Sequence, residues 1–414
     1  MALYDYTEDN KDTWCVNAFH SLCGMNDGTT KICCMYEMTP GKKYPIVGKS
    51  PLSHTMIFGE FMEVRQALAN GQKHDACRRC WKEEDAGRES KRVRDNKVYF
   101  NSDVKYKPTS LAKIELNLGN TCNIKCRTCA PSSSSMWMKE EHETKYPQAD
   151  YKAWVIEGNL TRFFKHYAED SPFWDDIEGN LHTIKQFDFY GGEPFMSKKM
   201  WKLINTARDR GLSENIELHY NTNGTLWPEE DLACWEDFEH VSLSFSIDGT
   251  YKQFEFMRHP AVWNTVMENY RNAEKMRDKF GNMSLDWCIT ISNLNVFYLP
   301  ETLEFFFKNI STPPYYKTGL YLNLVHGPLH FNIQTMHPEL KEKVKEKLSA
   351  VKQTSWITDD AANQVDGIIN FMNTDMYSEK TWSDFKRYID VHDKYRNENY
   401  YNTFPEFGEL IKAK

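Results

Sequence analysis

Apolar and polar positions change their pattern along the chain near residue 112. From there, short runs rich in β-branched and aromatic residues, bounded by Gly, Asn, Asp or Pro, predict β-strands. Longer helical patterns separate these runs, and this alternation predicts a parallel sheet, open or closed into a barrel. The predicted strands are 112–118, 184–190, 215–221, 241–247, 285–291 and 320–325, and the predicted helices are about 150–169, 197–210, 228–237, 261–280 and 298–308.

The two flanks of this region have a different texture. Residues 1–108 contain turn-rich segments and little periodicity, which predicts a small module that needs metal or another staple. Beyond about 330 no strand is predicted. We therefore divide the chain into an N-terminal module (1–108), an α/β domain (109–328) and a helical C-terminal extension (329–414). The helices expected in the extension are 336–351, 359–373, 378–392 and 404–412.

The composition is that of a globular protein, with 414 residues, 40% hydrophobic and 27% charged. The net charge of −8 argues against a chain-wide phosphate-binding surface and hence a nucleic-acid partner, although it is compatible with a local basic groove. The first ten residues lack the basic start and apolar run of a secretory signal, and no apolar stretch approaches the roughly 20 residues that cross a bilayer. We therefore expect a cytoplasmic protein without a membrane partner, whose 11 cysteines serve metal binding or catalysis rather than disulfides.

Three cysteines, Cys122, Cys126 and Cys129, lie within eight residues directly after the first predicted strand. In β/α barrels, the carboxyl ends of the strands carry the chemistry. Three thiolates on one loop can bind one metal centre and leave a position open, whereas structural zinc sites are closed by four ligands. An iron–sulfur cluster held by three cysteines leaves one iron free for a substrate or cofactor.

The Cys-x3-Cys-x2-Cys spacing after a first barrel strand resembles the signature of radical S-adenosylmethionine (SAM) enzymes. The resemblance implies that the three cysteines hold a 4Fe–4S cluster whose fourth iron is chelated by SAM. It implies that reduction cleaves SAM to a 5′-deoxyadenosyl radical, which abstracts hydrogen from a substrate. It further implies a partial (β/α)6 barrel and an electron donor such as flavodoxin or ferredoxin. Thr128 departs from the family, which often has an aromatic residue there.

A second motif, Gly191-Gly192-Glu193-Pro194, follows the second predicted strand. Two glycines allow the backbone to come close to a ligand, and Glu193 offers an acceptor for an ammonium group. This segment looks like the family motif that binds the amino group of SAM. Because it comes one strand–helix unit after the cysteine loop, it strengthens the resemblance.

Polar residues at the ends of later strands are further candidates. Ser246 and Asp248 end the fourth strand, where the resemblance implies contacts to ribose hydroxyls. Asn221 and Asn293 end the third and fifth strands and could contact SAM or the substrate, with ordinary turn formation as the alternative. His326 ends the sixth strand and could serve a substrate, although a lone histidine is more often structural.

Four N-terminal cysteines, Cys15, Cys33, Cys77 and Cys80, suit one tetrahedral site or one fully ligated 4Fe–4S cluster. Spacing does not choose between zinc and iron. The Cys-x12-Gly-x4-Cys pattern resembles the opening of auxiliary-cluster modules called SPASM or, when shortened, twitch domains, although these usually follow the barrel. The resemblance implies one auxiliary 4Fe–4S cluster, with Cys34 as an alternative ligand to Cys33. The other cysteines are expected to pack as small hydrophobes: Cys23, Cys234 and Cys288.

Residues 81–94, next to Cys80, are dense in charge. One interpretation is a basic docking strip for an anionic substrate. The other is a solvated helix that bridges two domains. The sequence favours the second interpretation, because charge runs usually mark solvated surfaces.

These patterns lead to a functional hypothesis: a radical SAM oxidoreductase that modifies a peptide or protein. A second hypothesis is radical modification of a nucleotide or another small metabolite. A third, from a different class, is a zinc-binding scaffold without catalysis. The sequence itself does not identify the substrate or the general acid and base.

Overall fold

The computed structural model describes residues 6–101, 110–168, 170–310 and 319–414. Its centre is a sheet with the strand order β2-β1-β3-β4-β5-β6-β7-β8, in which only the β1–β2 pair is antiparallel. The strands are β1 (Ser21–Gly24), β2 (Thr30–Lys31), β3 (Lys113–Asn117), β4 (Gln186–Tyr190), β5 (Glu217–Thr222), β6 (His240–Ser246), β7 (Met283–Ile291) and β8 (Gly319–Leu324).

Helices cover the outside of this sheet and form both flanks of the chain. The α-helices are α1 (Val16–His20), α2 (Leu52–Met56), α3 (Gly59–Ala69), α4 (Arg78–Asp85), α5 (Lys91–Asn101), α6 (Trp137–Lys145), α7 (Tyr151–Glu157), α8 (Arg162–Lys165), α9 (Phe173–Asn180), α10 (Lys198–Asp209), α11 (Glu229–Leu232), α12 (Tyr251–Met257), α13 (Trp263–Phe280), α14 (Leu299–Asn309), α15 (Pro338–Val351), α16 (Asp359–Asn373), α17 (Glu379–Arg396), α18 (Tyr400–Thr403) and α19 (Pro405–Lys412). The 3₁₀ helices are Asp75–Cys77, Pro194–Met196, Ser213–Asn215, Ala233–Asp237, Val296–Tyr298, Leu329–Phe331 and Ile333–Thr335.

The predicted α/β class with a mostly parallel sheet is confirmed, and all six predicted strands are present as β3 to β8. The described residues add two strands that the sequence did not predict, β1 and β2. The long helix predicted at about 150–169 is wrong, because the chain forms α7 and α8 with a turn between them. Gly158 and Asn159 lie in this turn, and Asn159 has φ 47°, which ends a right-handed helix. Residue 169 itself lies outside the described residues.

Strands β3 to β8 place apolar side chains on one face of the sheet and polar side chains on the other. In β3, Ile114 and Leu116 are 1% and 0% exposed and pack in the core beneath the helices. Their neighbours Lys113 and Glu115 point to the opposite face, as the period of two requires. The polar row continues across the sheet with Asp188, His219, Ser244, Asp286 and Tyr321.

Contacts of α5 show that the polar face is concave. Lys91 Nζ lies 2.7 Å from Glu115 Oε1 of β3, and the Arg94 guanidinium lies 5.4 Å from the ring centre of Tyr321 in β8. Adjacent strands are about 4.8 Å apart, so β3 and β8 would be about 24 Å apart in a flat sheet. One helical turn of α5 reaches both strands, and the sheet must therefore curve around it.

The N-terminal and C-terminal regions both join this sheet. β1 pairs in parallel with β3, and the free edge of β8 is covered by α16, whose Gln364 Nε2 donates to Leu320 O at 3.1 Å. Such a cover protects an edge that would otherwise pair with another chain. The domain boundary predicted near 108 lies outside the described residues and stays a prediction. Among the described residues, no helix combines the length and apolarity needed to span a membrane.

Candidate functional site

The three cysteines of the loop after β3 lie near one another at the carboxyl end of the sheet. The thiols of Cys126 and Cys129 share a hydrogen bond, which holds the pKa of Cys126 below its usual value and raises that of Cys129. The charge of Cys126 also acts on Cys122, where burial raises the pKa to about 11. Metal binding has to displace these protons. We call residues 118–129 the cysteine loop.

Two side chains from later in the chain approach the sulfur atoms. Asn223 Nδ2 lies 3.8 Å from Cys122 Sγ, and Arg258 Nη1 lies 3.6 Å from Cys126 Sγ. Asn223 follows β5 and Arg258 follows α12, and both are buried. The sequence analysis missed both residues. Asn223 lies two residues after Asn221, the predicted contact at the end of the same strand. No sequence signal links Arg258 to the cysteines.

The two glycines of the Gly191–Pro194 segment allow it to pack directly on the cysteine loop. Gly192 has φ 56°, and a side-chain carbon there would lie 2.2 Å from the backbone oxygen of Thr121. At Gly191, with φ 81°, the same carbon would lie 1.6 Å from Asn117 Oδ1. Only glycine fits such positions. The close approach expected of these glycines is therefore made, in this structure, to the cysteine loop by Gly192 and to the end of β3 by Gly191.

Glu193 is buried beside the same loop, at 2% exposure. Its carboxylate accepts hydrogen bonds from Thr222 Oγ1 at 2.9 Å, from the Asn223 backbone N–H at 2.8 Å and from the Phe195 backbone N–H at 3.2 Å. Burial raises the pKa of Glu193 to about 7, and the three donors oppose that rise. A carboxylate has about four acceptor positions, so one remains for a further donor.

The other predicted SAM contacts have different environments. Asp248 forms an ion pair with Arg258 (Oδ2–Nη2 3.0 Å) and accepts a hydrogen bond from the Thr290 backbone N–H at 2.7 Å. Its carboxylate therefore lies beside Arg258, the residue that contacts Cys126. Asn293 Nδ2 donates to His330 O at 3.0 Å, which ties it to the C-terminal extension. Ser246 and Asn221 lie on the polar face at the ends of β6 and β5, half-buried. The geometry thus brings Asp248 close to the cysteine loop. The roles of all four residues toward SAM stay predictions.

The C-terminal extension holds the cysteine loop through Arg127. This residue is completely buried, and its guanidinium forms ion pairs with Asp393 at 2.6 Å and with Glu398. Tyr388 Oη donates to the backbone oxygen of Arg127 at 2.5 Å. Asp393 and Tyr388 belong to α17. A buried charge is tolerated only when it is paired, so α17 and the loop stabilise each other.

A second buried carboxylate, Glu140 of α6, strengthens this attachment. It accepts from His392 Nδ1 at 2.7 Å and Arg396 Nε at 2.9 Å, both in α17, and from Lys125 Nζ of the loop at 2.7 Å. Burial raises the pKa of Glu140, but these partners outweigh it and bring the pKa to about 2. The carboxylate therefore stays ionised and connects three segments of the chain.

The structure also brings the four N-terminal cysteines together. Cys33 lies within electrostatic range of Cys15 and Cys77, and Cys80 within range of Cys15 and Cys77. Burial raises the pKa of all four, to about 12 for Cys15. Backbone N–H groups of Asn17 and Ala18 lie at the Cys15 sulfur.

The N-terminal cysteines adjoin the polar face of the sheet. The Cys34 backbone N–H donates to Glu115 Oε2 at 2.6 Å, and Glu115 is one member of a buried charge network inside the curved sheet. In this network Lys113 Nζ lies 3.1 Å from Asp188 Oδ2, and Asp188 also faces His219 at 3.7 Å. Cys34 thus points toward the interior of the sheet and not only toward Cys33.

Both cysteine groups fit an iron–sulfur cluster by their donors. Within the described ranges, no three His, Cys, Asp or Glu side chains converge tightly enough for a single metal ion. In a cluster, each cysteine binds a different iron, so the sulfurs stand further apart than around one ion. The cysteine loop offers three thiols and the N-terminal group offers four.

One family model matches part of the chain. Residues 116–306 match the family model described as the Radical SAM superfamily, a segment that contains the cysteine loop, Gly191–Pro194, Asp248 and Arg258. No curated protein matches the chain.

Similar solved structures include a polyhistidine-tagged anSMEcpe with bound AdoMet (14% identity, 58% of this chain and 56% of that chain, TM-score 0.37). Streptococcus suis SuiB bound to S-adenosylmethionine has 11% identity over 73% of this chain and 59% of that chain, with a TM-score of 0.34. SuiB bound to its precursor peptide SuiA has 10% identity, coverage of 83% and 67%, and a TM-score of 0.32. The chain thus spans little more than half of the first of these structures.

Proposed function

We propose that this chain is a radical SAM enzyme, which the match of residues 116–306 to the Radical SAM superfamily model supports, and that Cys122, Cys126 and Cys129 hold its 4Fe–4S cluster. When bound, this cluster supplies the electron that cleaves SAM to a 5′-deoxyadenosyl radical, which abstracts a substrate hydrogen. The observation that carries the proposal is the convergence of three buried or half-buried thiols with Arg258 at 3.6 Å from one of them. Arg258 stabilises the negative charge of the thiolates.

Glu193 is the proposed acceptor for the SAM amino group. Its carboxylate is fixed by three donors from the β4 and β5 ends and retains one acceptor position. Ser246 and Asp248 are the proposed ribose contacts, and Asn221 and Asn293 are the proposed further contacts to SAM or substrate. Asp248 and Asn293 already form hydrogen bonds within the protein, so these roles require that each side chain binds SAM or the substrate in addition to its present partners.

We further propose that Cys15, Cys33, Cys77 and Cys80 hold an auxiliary 4Fe–4S cluster of the twitch type. Their mutual proximity and their position beside the polar face support this assignment. Cys34 is the alternative to Cys33. Its backbone N–H is bound to Glu115, which directs this residue toward the interior of the sheet. A flavodoxin or ferredoxin is the proposed electron donor.

The proposed substrate is a peptide or protein, as the family resemblance implies, and the alternative is a nucleotide or small metabolite. The polar, charged interior of the curved sheet suits either polar class, so the substrate assay must include both. A zinc-binding scaffold without catalysis is the competing function. Colourless protein with zinc and no sulfide after anaerobic purification would establish that competitor.

The decisive experiment measures 5′-deoxyadenosine after reconstitution with iron and sulfide and reduction with dithionite. Wild-type protein should form 5′-deoxyadenosine. Cys126→Ala should form none, because the two remaining thiolates should not retain the cluster that binds SAM. Cys234→Ala is the matched control, since Cys234 is a buried packing cysteine on the 3₁₀ helix after α11. Normal SAM cleavage by Cys126→Ala would refute the assignment. Deuterium transfer from labelled peptides or nucleotides into 5′-deoxyadenosine then identifies the substrate class.

A further inference from the structure

A group of basic side chains lies where α4 and the loop after it meet the carboxyl end of β8. It consists of Arg79, Lys82, Arg88 and His326, which we call the basic cluster. The charges of Arg79, Arg88 and Lys82 all act on His326 and, after burial, lower its pKa to about 4. The His326 ring is held edge-on against Phe371 of α16, with 5.2 Å between ring centres.

Arg88 is fixed in this cluster by its backbone and packing contacts. Its Nη2 donates to Leu322 O on the free edge of β8 at 2.8 Å. Its aliphatic stem lies against Gly367, where a side-chain carbon would lie 2.5 Å from Arg88 Cγ. The guanidinium is therefore positioned before any ligand arrives, which reduces the entropy cost of binding.

Two guanidinium nitrogens of the cluster lack a partner in the described part of the chain. Arg79 Nε and Arg88 Nη1 are both buried and make no hydrogen bond to the protein. A buried donor without a partner destabilises the protein, so such groups usually face a ligand or water. Two unsatisfied arginine donors in one cluster are the pattern that oxyanions satisfy.

The acidic neighbours do not neutralise the cluster. Glu83 lies near Arg79 and Arg88, and burial raises the pKa of this carboxyl. Glu37 is the other acidic neighbour of His326, and it already forms an ion pair with Arg78. Three permanent cations therefore face one unpaired carboxyl group, and the local charge stays positive.

The position of the cluster connects it with both cysteine groups. His326 follows β8 as the cysteine loop follows β3, and the carboxyl ends of parallel strands lie at the same edge of a sheet. Arg79 directly precedes Cys80. Lys82 is exposed, and the other three side chains are half-buried, so the cluster is open to solvent.

We propose that the basic cluster binds an oxyanion, a carboxylate or a phosphate, carried by the substrate at the carboxyl end of the sheet. That the anion belongs to a substrate rests on the function proposed above, whereas the oxyanion site itself does not. Arginine donors pair with either anion in a fork, and the two sources correspond to the two substrate classes left open. A carboxylate would come from a peptide or metabolite, and a phosphate from a nucleotide.

The test is calorimetric titration of reconstituted holoprotein with inorganic phosphate and, separately, with succinate. Binding of at least one anion at millimolar concentration is expected, and the tighter anion identifies the source. Arg79→Met should weaken binding of the tighter anion about ten-fold, because one charge-assisted hydrogen-bonded pair is lost. Arg387→Met is the matched control, because it removes the same charge from an exposed side chain of α17 that pairs with Asp384 and lies outside the cluster. Its affinity should stay within about two-fold of wild type.

Lys82→Met is a second variant that cannot disturb the core, because Lys82 is exposed. It should weaken the anion by a smaller factor than Arg79→Met. Absence of binding by wild type, or equal weakening by Arg387→Met and Arg79→Met, would overturn the proposal. SAM cleavage without substrate, measured on the same samples, should be unchanged in all variants. Loss of anion binding with normal SAM cleavage therefore bears on the oxyanion site alone, and loss of SAM cleavage in wild type bears on the proposed function alone.

Discussion

The two cysteine groups are built from the chain in opposite ways. The cysteine loop carries three cysteines within eight residues, so one short segment supplies every protein ligand of its proposed cluster. The N-terminal group takes Cys15 from the start of α1, Cys33 from the segment after β2, and Cys77 and Cys80 from the region of α4. The first arrangement is local and the second depends on the fold of the whole N-terminal region.

The residues that support each cysteine group follow the opposite pattern. The local cysteine loop is held from far away, by the ion pair between Arg127 and Asp393, which are 266 residues apart. Trp137 Nε1 adds a hydrogen bond to Cys126 O at 2.9 Å. The dispersed N-terminal group is supported by neighbours in its own region, as in the pairing of Arg92 with Glu84 at 2.7 Å beside Cys80. Ligand spacing and ligand support are thus separate properties of a metal site.

Removing one ligand from each group in turn gives the largest expected effect and tests the comparison directly. Cys80→Ala should lower the iron content from about eight to about four per chain, because one cluster loses a ligand. It should still form 5′-deoxyadenosine, since the cysteine loop is intact. Cys126→Ala should lose a similar amount of iron and all SAM cleavage. Iron and sulfide analysis with product assays measures both. If Cys80→Ala abolished SAM cleavage as completely as Cys126→Ala, the two groups would not be independent sites.

The next largest effect concerns the support of the cysteine loop by α17. Arg127→Met should destabilise the protein by about 3–5 kcal/mol, because it leaves the buried carboxylate of Asp393 without its cation. Urea unfolding under anaerobic conditions measures this loss, and hydrogen exchange should rise in residues 118–129.

Arg387→Met is the control for this variant. Arg387 lies on the same helix and pairs with Asp384 at 2.8 Å, but its side chain is 75% exposed. An exposed pair contributes little, so no measurable change is expected. Equal stability of the two variants would show that α17 does not support the loop.

The sequence predicted those features that arise from local patterns. Short runs rich in β-branched and aromatic residues, bounded by Gly, Asn, Asp or Pro, located β3 to β8. The cysteine spacing located the loop because all three ligands lie in one segment. Pairing of β1 with β3 was not predictable in this way, because β1 is a four-residue strand within a region of weak periodicity.

The missed site residues have a common physical origin. Arg258 and Asn223 approach the sulfurs only because the sheet curves and brings the ends of different strands to one edge. The attachment of α17 to Arg127 likewise depends on tertiary packing. An isolated Arg or Asp in a helical pattern carries the same local signal whether it is solvated or buried, and only the fold distinguishes these cases.

The smallest expected effect tests whether the Gly191–Pro194 segment acts through its contact with the cysteine loop. Gly192→Ala should destabilise the protein more than Gly211→Ala. Both glycines have a positive φ, 56° and 68°. Both variants therefore place alanine in the left-handed backbone region, which costs about 1–2 kcal/mol. Around Gly211 nothing lies within 4 Å of the added carbon, whereas at Gly192 it meets Thr121 O at 2.2 Å. This overlap should add about 1–3 kcal/mol, measured by unfolding. Because the displaced residue directly precedes Cys122, SAM cleavage should fall in Gly192→Ala and stay normal in Gly211→Ala. Equal stabilities and activities of the two variants would mean that the segment does not position the cysteine loop.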